Sequence, residues 1–340
     1  MKRKARNLLA IAGLLLFGCV LAAGVLEATV RLFFAEPILP RFVVDSGEGI
    51  KFNQSNVETV HYFPDQYRVA ITTNAAGLRG SENYATDKPQ NTLRIALLGD
   101  SYLFGYGVTD EQVVSTALQR RLSTESEKRK VEVLNFGVSG YGTAEQVIAY
   151  RRIVRPYSPD YVGLFYFSND LGNSIASGLF AVDAGGAPVR TGNAYLPGMG
   201  IRETMYRFPV TRWLFENSQA WNLIRNRVSN LVWRRYLSAQ GMKNSQQEKP
   251  EAVSLTRALI LQLMADVRQD GAIPFVVIIP GRRMNTNFPV AADDLLKAGA
   301  VLVDGRDFLA GSDYYEIEGH WRPEGHAKAA AAIAERLFAR

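Results

Sequence analysis

The stretch Leu93 to Gly107, LRIALLGDSYLFGYG, constrains this chain more than any other. Its first half is an apolar run rich in branched residues, the signature of a strand buried on both faces of a parallel sheet. The run ends in Gly99-Asp100-Ser101, a sharp turn. Such a turn puts Ser101 at the carboxyl edge of the sheet, where an open α/β fold does its chemistry.

The remaining elements repeat the same rhythm. A helix is expected over Glu111 to Glu127, with Val114, Leu118 and Leu122 on one face, and a second strand over Val131 to Phe136. Another helix begins at Thr143, with Glu145 and Gln146 in its first turns, and Pro156 stops it. Tyr161 to Phe167 reads as the third strand, Leu255 to Val267 as a core-facing helix, Pro274 to Pro280 as the fourth strand and Val301 to Asp304 as the fifth. Pro323 to Arg340, rich in alanine, closes the chain as a helix. Strands alternating with helices at this spacing imply right-handed crossovers, and five strands built around the first predict the flavodoxin-like order 2-1-3-4-5. The expected architecture is therefore a three-layer α/β fold.

Residues 171 to 250 break the rhythm and form an insert. Glycine-rich sequence from Gly178 to Gly200 leads into an amphipathic helical hairpin carrying Trp213, Phe215, Trp221, Leu223, Ile224, Val228, Leu231 and Trp233, and a hydrophilic break from Gln240 to Glu251 returns the chain to the main fold. An insert directly after the third strand is placed to lie over the site as a lid. Packing is the commoner use of such an aromatic face, and a solvated face the commoner reading of Arg212, Arg225, Arg227, Arg234 and Arg235.

The amino terminus reads differently. Leu8 to Leu26 is 19 residues without a charge, preceded by Lys2, Arg3, Lys4 and Arg6. At about 1.5 Å per residue such a helix reaches the roughly 30 Å of a bilayer's hydrocarbon core. The positive-inside rule keeps the basic end in the cytoplasm and puts everything after about residue 30 outside. An uncleaved anchor over residues 1–35 of a single-pass protein of the cytoplasmic membrane is favoured. Cleavage after Ala22-Ala23-Gly24 and lipidation at Cys19 within Leu16-Phe17-Gly18-Cys19 are the rivals, but apolar sequence continues past both. Residues 36–90 are expected to form a small β-rich preamble, either a spacer or a segment packed near the site. The net charge of +6 is partly the amino-terminal cluster and gives nucleic-acid binding little support. One cysteine excludes an intramolecular disulfide. No metal-ligand cluster or Walker-type loop is present, so neither metal nor cofactor is expected.

Three further motifs fall at strand ends or at the start of the last helix: Asn135-Phe136-Gly137-Val138-Ser139-Gly140, Phe167-Ser168-Asn169-Asp170 and Gly319-His320-Trp321. Together with Gly-Asp-Ser they resemble the SGNH, or GDSL-like, hydrolase superfamily, whose four signature positions correspond to Ser101, Gly140, Asn169 and His320. The resemblance covers residues 91–340. It implies Ser101 as nucleophile, His320 as base, and an oxyanion hole made by the backbone amides of Ser101 and Gly140 and the side chain of Asn169. A hydroxyl needs such a base because it is a poor nucleophile at neutral pH. Of the chain's three histidines, His61 and His326 are expected to be structural, the latter bonding within the Pro323-Glu324-Gly325 turn. Asp100 is expected to support its turn.

Two positions depart from the family pattern. Relatives carry aspartate two or three residues before the histidine, where this chain has Glu318 and Ile317. Glu318 is the expected orienting acid, with Asp313 and Glu316 in reserve and a dyad helped by a backbone carbonyl also open. Phe167 replaces a usual glycine and is expected to narrow the pocket. The resemblance and the anchor together imply an extracytoplasmic serine esterase that removes acetyl or other small acyl groups from an envelope or exported polysaccharide. The same residues would serve an O-acyltransferase working with polysaccharide-export or acetylation machinery, and a catalytically silent glycan-binding protein is the reading from another class.

Overall fold

The structure, a computed structural model, describes residues 2–38, 42–125, 129–192, 204–205, 207–239 and 249–338. Residues 193–200 of the glycine-rich stretch, most of the hydrophilic break after the hairpin, and the Trp233 side chain lie outside the described residues. The chain begins with a long helix α1 (Lys2–Phe33), of which Leu9–Phe33 is long and apolar enough to cross a membrane. Its apolar side chains are exposed along almost all of that length, Val30 being the buried exception.

Two antiparallel pairs follow. Strands β1 (Val43–Asp45) and β2 (Lys51–Asn53) pair with each other, as do β3 (Glu58–Phe63) and β4 (Tyr67–Thr72). This preamble is docked on the α/β body: the Asn53 side chain donates to the Gly137 carbonyl at 2.9 Å, and the Tyr141 hydroxyl donates to the Lys51 carbonyl. The buried Arg79 meets Asp110 at 2.7 Å and donates to the Val108 carbonyl at 2.8 Å.

The body opens with β5 (Thr92–Gly99), buried at every residue, and the single-turn helix α2 (Ser101–Phe104). Helix α3 (Val114–Glu125) starts later than its apolar spacing suggests, because a turn closes first from Gln112 N to the Thr109 carbonyl and because the Val114 N–H is accepted by His326 Nδ1 at 3.3 Å. Strand β6 (Lys130–Gly137) and helix α4 (Thr143–Ala149) come next; beyond Ala149 the helix relaxes into a π turn and then a 3-10 turn around Pro156. Then come β7 (Tyr161–Phe167), α5 (Asn169–Ser177), a small hairpin β8 (Phe180–Val182) and β9 (Pro188–Arg190), and the insert helices α6 (Pro209–Asn217) and α7 (Gln219–Ala239). Helix α8 (Pro250–Gln269), β10 (Ile273–Ile279), α9 (Ala292–Lys297), β11 (Val301–Asp304) and α10 (Pro323–Phe338) complete the chain.

Five strands form one parallel sheet in the spatial order β11-β10-β7-β5-β6. Counted from β5, this is the order 2-1-3-4-5. Alternation along each strand separates two cores. Ala96, Leu98, Leu134, Leu164 and Val276 face α4 and α8, packing on Val147, Leu259 and Leu263. Ile95, Leu97, Val133, Phe165 and Val277 face α3 and α10, packing on Leu118, Ile333 and Trp321. Because helices cover both faces, ligands have access at the carboxyl ends of the strands.

The insert helices lie along the end of α1, while the hairpin before them packs on α8: Glu27 accepts from Ser218 Oγ at 2.8 Å and from the backbone N–H of Gln219 and Ala220 at 2.9 and 3.0 Å, capping α7, and Arg31 donates to the Asn217 carbonyl. Phe215 is buried edge-on to Trp221, the packing use of an aromatic face, whereas Trp213, Ile224, Val228 and Leu231 are exposed. Asn226 and Asn230 of α7 reach the flank of Glu318 across a cavity of about 340 Å³.

Candidate active site

Ser101 is the first residue of α2, at the carboxyl end of the central strand. The Asp100 side chain caps this turn by accepting the Tyr102 N–H at 2.9 Å, and its other oxygen accepts from Asn169 Nδ2 at 3.1 Å. Burial pushes the Asp100 carboxyl above its ordinary range, although the Tyr102 and Asn169 donors and His320 oppose this. Asp100 therefore braces the turn and ties it to the start of α5.

His320 comes from the loop between β11 and α10, 219 residues away in sequence, and its Nε2 lies 2.7 Å from Ser101 Oγ. The loop is held as a tight hairpin by Tyr315 N–H to the His320 carbonyl at 2.8 Å and Arg322 N–H to the Asp313 carbonyl at 2.7 Å. Gly319, at φ +91°, takes a left-handed conformation that a side chain would strain. That turn folds Glu318 back onto the residue two positions later. Its Oε1 is 2.5 Å from His320 Nδ1, and its Oε2 accepts the His320 backbone N–H at 2.9 Å. Burial pushes the Glu318 carboxyl up, but the two His320 donors and the imidazole outweigh it and leave it below the usual carboxylate range.

The structure thus brings Ser101, His320 and Glu318 into one hydrogen-bonded series. It places the two reserve acids elsewhere: Asp313 is buried against Lys328 at 2.8 Å, and Glu316 is exposed beside Arg282. His326 is buried as expected of a structural residue, but it accepts from Val114 rather than bonding within its own turn, because its ring reaches across to the start of α3.

Gly140 lies in the loop after β6, which is tied to the Ser101 turn by Val138 N–H to the Gly99 carbonyl at 3.1 Å. It has φ +72°, a left-handed conformation that favours glycine. Glu145, just beyond, accepts the Gly142 N–H at 3.0 Å; burial raises its carboxyl to about 7. Asn169 gives one amide hydrogen to Asp100 and keeps a second; its Oδ1 is buried without a partner. Phe167 packs against Tyr102, ring centroids 4.6 Å apart.

Sequence reasoning passed over the aromatic wall of this cleft. The Tyr102 ring lies 4.5 Å from the His320 ring while its hydroxyl donates to the Gly319 carbonyl at 2.9 Å, and Tyr106 lies 5.3 Å from His320. Both follow Ser101 closely in sequence, which was the available signal. Tyr102 fixes the imidazole plane and its loop together.

A doubly wound sheet whose carboxyl edge presents an alcohol, an imidazole and a carboxylate in series defines a class of α/β proteins, and its strand order is the one that the SGNH resemblance implies. No family model and no curated protein matches the chain. Similar solved structures include TesA (TM-score 0.43, 12% identity, covering 72% of this chain and 98% of that one). Axe2, an acetylxylan esterase from Geobacillus stearothermophilus, has TM-score 0.44 and 12% identity and covers 74% of this chain and 98% of its own. The lipase Lip_vut3 from a goat rumen metagenome has TM-score 0.42 and 12% identity, with 73% and 99% covered. Likenesses this distant carry no activity over to this chain.

Proposed function

We propose that the protein is a serine esterase of SGNH type, anchored by α1, that removes acetyl or other small acyl groups from an extracytoplasmic glycan. The observation that carries the reading is the series Ser101 Oγ, His320 Nε2 at 2.7 Å and His320 Nδ1 to Glu318 at 2.5 Å. His320 takes the Ser101 proton as Oγ attacks the ester carbonyl, and Glu318 stabilises the imidazolium that forms. The tetrahedral oxyanion is met by the Ser101 and Gly140 backbone amides and by the Asn169 amide hydrogen that Asp100 leaves over; removing one such donor costs about 3 kcal/mol. Collapse breaks the ester bond, and His320 returns the proton to the leaving alcohol. Water then attacks the acyl-serine by the same route in reverse.

A nucleophile only 8% exposed and walled by Tyr102 suits a small acyl group on a larger alcohol. The basic residues before the apolar span support a site outside the cytoplasmic membrane. Turnover of p-nitrophenyl acetate by the full chain in detergent tests the reading: Ser101→Ala should abolish it, and undiminished turnover in that variant would refute the assignment. Polysaccharide acetyl content then separates the two acyl acceptors, rising in the absence of the protein for hydrolysis to water and falling for transfer to a sugar hydroxyl.

A further inference from the structure

The preamble hairpin β3–β4 reaches the same cleft from outside the α/β body. His61 of β3 is fully buried, its ring 4.9 Å from that of Tyr67 and 4.5 Å from that of Tyr106. Its Nδ1 faces the backbone N–H of Gly107 at 3.2 Å. A backbone N–H can only donate, so Nδ1 is the acceptor and carries no proton. Burial pushes the imidazole down to about 3, so the ring is neutral and its single proton sits on Nε2. That nitrogen is 3.1 Å from the Tyr67 hydroxyl. With its oxygen accepting from His61, the Tyr67 hydroxyl directs its own hydrogen elsewhere, and the carboxylate that bears on it is that of Glu318.

The surroundings hold this geometry. Gln66, next to Tyr67, accepts the Glu318 backbone N–H at 3.4 Å. The Tyr315 ring packs 4.7 Å from that of Tyr67, and its hydroxyl donates to the Gly107 carbonyl at 2.9 Å. A Cβ on Gly107 would lie 2.7 Å from Tyr315 and 2.9 Å from Tyr67, so the residue that starts the chain of donors is also the one whose missing side chain makes room for it.

We infer that Gly107 N–H, His61 and Tyr67 form a donor relay that positions Glu318, making the preamble part of the catalytic device. The inference deepens the esterase reading and rests on its triad. Both Glu318 oxygens already receive a donor from His320, and a third fixes the plane of the carboxylate. Glutamate has one more rotatable bond than aspartate, so a chain that uses it as orienting acid gains from an additional anchor. His61 and Tyr67 are positioning residues: neither touches the reacting serine.

The test uses the full chain in detergent micelles with histidine rings labelled with nitrogen-15, reading the resonance of the proton on His320 Nδ1 alongside p-nitrophenyl acetate turnover. Tyr67→Phe keeps the ring and removes the donor. The carboxylate then draws harder on its remaining partner, so the His320 resonance should move downfield, and kcat should fall about tenfold, the scale of one hydrogen bond to a charged group. His61→Gln, whose amide accepts with one atom and donates with the other, should keep both readouts near wild type, whereas His61→Leu should reproduce Tyr67→Phe. An unmoved His320 resonance in Tyr67→Phe overturns the relay, as does kcat within about twofold of wild type. If the resonance moves as expected while turnover does not depend on Ser101, the relay stands and the triad reading falls.

Discussion

Replacing Glu318 by glutamine keeps the shape of the site and inverts its proton logic. The His320 backbone N–H, 2.9 Å from Oε2, needs an acceptor, so the glutamine carbonyl must lie there. Its NH2 group then faces His320 Nδ1, which sits 2.5 Å from the other oxygen and becomes the acceptor. The ring proton moves to Nε2 and points at Ser101 Oγ, 2.7 Å away, so the base arrives already protonated. Reaction requires turning the amide over, which sets NH2 against N–H, and it proceeds without a carboxylate beside the imidazolium. Each loss is of the order of a hydrogen bond to a charged group, about 1.5–3 kcal/mol, so together they predict a fall in kcat of roughly 10²- to 10⁴-fold. The same change in a serine protease triad costs about 10⁴-fold. Steady-state hydrolysis of p-nitrophenyl acetate measures it, with KM nearly unchanged because Glu318 does not border the serine oxygen, and with a thermal melt showing that the fold persists. A Glu318→Gln enzyme within about tenfold of wild type would refute the orienting role.

Two further outcomes follow from the fold. Arg94 and Glu132 form a buried pair at 2.7 Å, with the guanidinium also donating to the Thr86 and Tyr157 carbonyls; Arg94→Met should cost about 3 kcal/mol in denaturant unfolding, because it leaves the buried carboxylate with Lys130, at 2.8 Å, as its remaining cation. His326 is held neutral, its folded value of about 3 lying below the ordinary 6.5, so the stability it contributes is complete above the ordinary value and lost as pH falls toward the folded one. The wild-type advantage over His326→Asn should therefore shrink by about 2–3 kcal/mol between pH 6.5 and roughly pH 4.5, measured by denaturant midpoints; a difference constant across that range would contradict the buried neutral imidazole.

The sheet was legible because each of its strands is a short apolar run, and sidedness follows from alternation: Ile95 and Leu97 had to face one layer and Ala96 and Leu98 the other. The pairing of Ser101 with His320 was legible because a serine at a strand end and a histidine before the last helix are rare in combination. Glu318 was the expected partner of His320, but Asp313 and Glu316 share its loop, and the left-handed Gly319 is what folds Glu318 rather than either of them back onto the imidazole. What the sequence hid throughout was polar contact between distant segments. Asn53 bonds the Gly137 carbonyl from 84 residues away, and His326 bonds Val114 from 212. Such contacts leave no periodicity behind, so the docking of the preamble and the course of the insert along α1 emerge only in three dimensions.

The central claim, that Ser101 is an alcohol activated by His320, is tested most directly by reacting the full chain with a fluorophosphonate and locating the adduct by tandem mass spectrometry. A single adduct on Ser101, formed in the wild type and lost in His320→Ala, is the predicted result. A folded wild-type protein left unmodified at Ser101, or one labelled there equally well without the imidazole, would contradict it.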